Sequence, residues 1–155
     1  MRKRKQFPAH CVTRYVMRVR FFETDLMGVV HHAAYLTYVE AARVEYLRRR
    51  GADYRRLVES GLHMPVVDAH LSYKKTATFD DELTIEVRLS GLSRVTATFD
   101  YRILRNEGVE RPIVAEGYTR LACVDGRHRP CRIPESMVDV LTAHERSDVG
   151  ETESP

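Results

Sequence analysis

One segment limits the architectures open to this chain. Tyr35, Tyr38, Val39, Ala42 and Tyr46 recur three and four positions apart, with Leu36, Ala41, Val44 and Leu47 broadening the stripe. That is the period of an amphipathic helix. The helix is expected to begin around His31 to Ala33 and to stop near Gly51. Arg48, Arg49 and Arg50 place positive charge at its C-terminal end. Elsewhere the period is mostly two, as in half-buried strands. Tyr15, Met17, Val19 and Phe21 alternate with Arg14, Arg18 and Arg20. The same alternation runs through Val67 to Tyr73, Leu83 to Leu89 and Val95 to Ile103, and Ile113 to Val124 reads as a last strand. Pro134 opens a short helix through Met137 and Leu141. A single long helix with so broad an apolar face needs a wrapping surface, and a strongly curved antiparallel sheet supplies one. The expected fold class is therefore α+β, in the order strand, helix, four strands. An oligomer is the expected cover for any apolar part of the remaining sheet face.

At 155 residues the chain suits one domain, expected over 13–144, with a basic tail over 1–12 and a flexible tail over 145–155. Arg2, Lys3, Arg4 and Lys5 make the first tail basic, and the last eleven residues are acidic. The net charge of +3 is too small to imply a nucleic acid, and no aromatic residues interleave with the basic start, so no nucleic-acid partner is expected. No uncharged stretch reaches the roughly 18 apolar residues of a membrane span. The basic start is followed by no apolar run, and the expected compartment is the cytoplasm. Cys11, Cys123 and Cys131 make an odd count without CxxC spacing, and reduced thiols are expected.

The stretch FFETDLMGVVHHAAY, residues 21–35, fits neither a polar surface loop nor a plain strand end. Two of its features carry chemistry. No Ser, Thr, Asp or Asn immediately precedes the helix, so its first amides are candidates for an outside acceptor. Gly28 permits a tight turn and a close approach of ligand to backbone. A carboxylate, Asp25, facing unspent helix amides suits attack on an acyl carbonyl: the amides hold the oxyanion while the carboxylate activates water or attacks directly. The pair His31-His32 does not suggest a metal, because adjacent side chains on a helix diverge by about 100° and no third ligand stands at suitable spacing.

The pattern V-x-F-x-E-T-D-x-x-G-V-V-x-H-x-x-Y, from Val19 to Tyr35, resembles the active-site segment of the 4-hydroxybenzoyl-CoA thioesterase family. Within that family it is most similar to the bacterial acyl-CoA thioesterases encoded with the Tol-Pal system. The likeness continues through Glu40 to Leu47, Tyr73, Asp80 to Leu83 and Gly117 to Asp125. It implies a hotdog fold and hydrolysis of an acyl-CoA thioester, with coenzyme A as part of the substrate and no cofactor. It also implies a homodimer or homotetramer with sites at the subunit interface. Asp25 and His32 are the implied catalytic residues, the latter through its backbone amide. Gly28, Val30, His31, Ala33 and Tyr35 are the candidate substrate-binding residues. An acyl carrier protein thioester is an alternative substrate, and a 3-hydroxyacyl thioester dehydratase pairing His32 with Glu40 is an alternative activity. Against the dehydratase, the chain lacks a His-Phe-Pro type motif. The family often has Tyr at His31 and Asn at Ala34, differences that bear on acyl preference. Glu40 and Glu45 are expected to pair with Arg43, Arg48 and Arg49 on the helix surface. The Arg48–Arg50 and Arg55-Arg56 clusters are expected on a solvated face, where they suit coenzyme A phosphates. Tyr73 is expected in the core.

Overall fold

The computed structural model describes residues 11–146. Five strands, β1 (Thr13–Arg18), β2 (Val66–Tyr73), β3 (Glu82–Leu92), β4 (Thr96–Arg105) and β5 (Ile113–Ala122), form one antiparallel sheet in the order β1-β3-β4-β5-β2. Helix α1 (Ala34–Arg49) packs along its concave face, and the short helices α2 (Tyr54–Glu59) and α3 (Glu135–Thr142) follow α1 and β5. The period-two alternation explains the register. Ile85 pairs with Ile103, Val87 with Tyr101 and Leu89 with Phe99, putting large apolar residues on one face. Against them α1 buries Tyr38, Val39, Ala42 and Tyr46. This is the hotdog arrangement expected from the resemblance. Both tails fall largely outside the described residues. Within them Glu145, assigned to a frayed tail, is held by Arg49 at 2.9 Å.

Three expectations are corrected. The first strand stops at Arg18, and Phe21–Glu23 form a 3-10 turn, because the Glu23 carboxylate folds back onto the Arg20 amide at 2.8 Å. Phe21 is consequently exposed. The β2 residues Val67, Ala69 and Tyr73, read as inward-facing, are exposed on an edge strand that among the described residues pairs only with β5. Beside that edge Gly117 is required, since a Cβ there would stand 1.8 Å from the His70 carbonyl oxygen. Third, the arginines do not share one solvated face. Arg43 and Arg50 are buried, while Arg48 and Arg49 pair with Glu45. Cys123 and Cys131 are free thiols, but the hairpin after β5 brings their sulfurs to 3.4 Å. Among the described residues no helix is long and apolar enough to cross a membrane.

Candidate active site

The loop between the 3-10 turn and α1 is a small hairpin closed by a Thr24–Val30 bridge. Asp25 organises it. Its Oδ1 accepts from the amides of Met27 at 2.8 Å and Val29 at 3.4 Å, and its own amide donates to the Val29 carbonyl. Gly28 turns the chain with φ +75°, a conformation that disfavours a side chain. The hairpin is fastened to the loop before β3: Val29 bridges Thr78, and the Val30 amide donates to the Ala77 carbonyl at 2.8 Å. The Val30 side chain belongs to the core and presents no surface to a ligand.

The helix start is only partly spent. Ala33 occupies the N-cap position without a side-chain cap. Its amide is taken by His31 Nδ1 at 3.1 Å, and the Ala34 amide by the His31 carbonyl at 2.9 Å. The His32 amide has no acceptor among the described residues. His31 and His32 precede the helix rather than lie on it, so their rings stack, with centroids 4.2 Å apart, instead of diverging. Among the described residues no cluster of three metal-ligating side chains exists.

Glu23 and Tyr73 hold this arrangement, and the sequence reading assigned neither to it. Glu23, only 6% exposed, accepts the Tyr38 hydroxyl at 2.6 Å and the Arg20 guanidinium at 2.7 Å, while its carbonyl accepts the His31 amide at 2.8 Å. One residue thus ties the loop both to α1 and to the segment just before it. Burial alone would raise the Glu23 carboxyl, but the Tyr38 hydroxyl and the Arg20 amide and guanidinium outweigh it and hold the group below its ordinary range. Tyr73, 49% exposed rather than in the core, donates its hydroxyl to the His32 carbonyl at 3.0 Å. That bond fixes the peptide unit next to the free amide. The available signal was position: an acid two residues before Asp25 in an apolar segment, and a Tyr at a strand end. Tyr35 is buried with its ring 5.5 Å from Tyr73, and burial first, then Tyr73, pushes its phenol up to about 12. It is a neutral support for the site at ordinary pH. Phe21, Phe22, Leu26, Met27 and Phe79 surround the hairpin with exposed apolar surface.

Glu40 and the arginine clusters lie elsewhere. Glu40 is exposed on α1, about 9 Å along the axis from Ala34 at roughly 1.5 Å per residue. It does not join the hairpin. Arg50 stacks on Tyr46 at 3.5 Å and donates to Thr13 Oγ1 and the Ala143 carbonyl, so it braces the fold and does not meet a phosphate.

Comparison with known proteins agrees with this geometry. The profile of the thioesterase-like superfamily matches residues 19–141. The acyl-CoA thioesterase YbgC of Haemophilus influenzae is 33% identical over 125 residues, covering 79% of this chain and 89% of that protein. The crystal structure of the hypothetical protein TT1821 from Thermus thermophilus is 42% identical, with TM-score 0.75, over 85% of this chain and 97% of that one. At 23% identity the 4-hydroxybenzoyl-CoA thioesterase of Pseudomonas sp. strain CBS-3 shares the fold, with TM-score 0.76 over 84% of this chain and 99% of that one. Helix, curved sheet and loop sequence carry the same kinship, and the chain belongs to the thioesterase-like superfamily.

Proposed function

We propose that the chain is an acyl-CoA thioesterase, using water to cleave an acyl-CoA to a carboxylic acid and free coenzyme A. The observation that carries this reading is the unspent His32 amide at an uncapped helix start, on the same tethered loop as the Asp25 carboxylate. The amide, aided by the positive helix end, receives the charge that develops on the thioester oxygen. Asp25 has one oxygen fixed by the Met27 and Val29 amides, which leaves the other for chemistry. It serves as general base toward water, or as a nucleophile forming a transient anhydride. Rapid-quench trapping of an acyl group on Asp25 distinguishes the second route from the first. Neither route asks for a metal or a cofactor. The dehydratase reading needs His32 and Glu40 to converge, and their separation along α1 disfavours it.

The free edge of β2 supports a homodimer. Val66, Val67 and Tyr73 are exposed on an edge strand that pairs with β5 on one side only among the described residues, and a second copy pairing antiparallel would cover the other side. Tyr73 touches the helix start, so such a dimer sets each site beside the partner's β2. The test is free-thiol release from a panel of short, medium, long and aromatic acyl-CoAs, with acyl carrier protein thioesters run alongside. Turnover of acyl-CoAs supports the reading. Turnover of carrier-protein thioesters alone would replace the substrate, and no turnover of either would reject hydrolysis. Sedimentation of the wild-type protein as a monomer would reject the dimer.

A further inference from the structure

A cavity of about 910 Å3 opens far down α1 from Asp25. Its size lies within the roughly 300–1,000 Å3 range of small-molecule pockets. Arg43, on its wall, lies about 14 Å along the axis from Ala34. The other walls are mostly apolar, with Leu57 from α2, Met64 before β2, Phe99 from β4 and Met137 from α3.

Arg43 is the anomaly in this lining. It is only 8% exposed, yet its Nη1 donates to two neutral hydroxyls, Tyr101 Oη at 3.2 Å and Thr119 Oγ1 at 3.4 Å. Among the described residues no carboxylate pairs with it. Glu40, the acid three residues before it on the helix, is exposed and makes no ion pair with it among the described residues. Glu45 is taken by Arg48 and Arg49. Asp53, the acid at the cavity wall, caps α2 and faces Arg56 at 3.6 Å. A buried guanidinium is costly unless an anion compensates it. Here the face left for that anion is the cavity, and the fork of an arginine suits a carboxylate.

We propose that this cavity is a second ligand site, which binds an apolar monocarboxylate with its head on Arg43 and its chain or ring among Leu57, Met64, Phe99 and Met137. Arg43 is the one buried guanidinium in a mostly apolar chamber, since the other arginine on the wall, Arg56, is exposed and faces Asp53. That matches a singly charged head on a hydrocarbon body better than a phosphate. The acid released by thioester hydrolysis belongs to this class, so identifying the ligand with the product rests on the thioesterase reading. The binding itself does not.

Arg43 also braces α1 against β4 and β5, so its removal is paired with a variant that leaves it in place. Titration calorimetry measures hexanoate, decanoate and phenylacetate, each against its uncharged amide. The proteins are wild type, Asp25→Asn, Arg43→Met and Leu57→Trp, all checked by thermal melting. At least one carboxylate is expected to bind wild type and Asp25→Asn equally, and at least tenfold more tightly than its amide. Leu57→Trp, which fills the cavity, is expected to weaken binding tenfold or more, and folded Arg43→Met to abolish the preference for the carboxylate. No binding by any carboxylate, equal binding of acid and amide, or no effect of Leu57→Trp would overturn the site. Carboxylate binding without thiol release would instead overturn the thioesterase reading and leave this site standing.

Discussion

The two ends of α1 use their polar groups in opposite ways. At the C-terminal end every charge is occupied: Arg50 stacks on Tyr46 and holds Thr13 and Ala143, while Arg49 holds Glu45 and Glu145. At the N-terminal end no side chain caps the helix, the His32 amide is free, and Asp25 has an oxygen to spare. The first end satisfies its groups internally and so stabilises the fold. The second leaves them unsatisfied, which under the proposed function reserves them for the thioester, and its order comes from outside the helix, through Glu23 and Tyr73.

The sharpest way to break this comparison is to change each end and ask which property moves. Asp25→Asn keeps an oxygen for the Met27 amide, so the melting temperature is expected to hold while kcat for thiol release falls by about 10²- to 10³-fold or more. Arg50→Met should do the reverse. It strips partners from Thr13 and the Ala143 carbonyl and costs about 2–4 kcal/mol in denaturant unfolding, with kcat per folded molecule unchanged. A rate loss as large as the first, at full stability, would erase the distinction.

Glu23→Gln lies between the two and should affect both properties. Weakening the Arg20 and Tyr38 contacts is expected to cost about 1–3 kcal/mol. It should also slow hydrolysis by about tenfold, because a displaced loop misplaces both reacting groups. The pH dependence follows from the carboxyl being held below its ordinary value near 4.5. The stability it supplies is fully present above that pH and is lost as pH falls through the folded value. Acid unfolding of Glu23→Gln should therefore lack part of the slope seen in wild type, as followed by circular dichroism. Tyr73→Phe gives the smallest change. Losing one hydroxyl bond to the His32 carbonyl costs about 0.5–1.5 kcal/mol, expected as a several-fold drop in kcat.

The elements were legible because periodicity survives in a single sequence. A three-to-four spacing marked α1, alternation marked β2 to β4, and β5 reads as the last strand, within a residue or two at most ends. Asp25 and the missing cap were legible for a similar reason, since both are local. What escaped depends on partners distant in the chain. Alternation carried the first strand through Phe21, but the bond from the Arg20 amide to Glu23 ends it sooner. Arg43 reads as a surface ion-pair residue until Tyr101 and Thr119 arrive from strands more than fifty residues away. Tyr73 alternates like a core residue, yet it is half exposed at the end of an edge strand that has no second strand neighbour among the described residues.

The most direct test of the account is the single-turnover rate of thiol release from the best acyl-CoA of the panel, for wild type and Asp25→Asn at matched folded concentration. The account predicts rapid release by wild type and a loss of at least about 10²-fold in the variant. Equal rates in the two proteins would contradict it, and the chemistry would then have to lie away from the N-terminal end of α1.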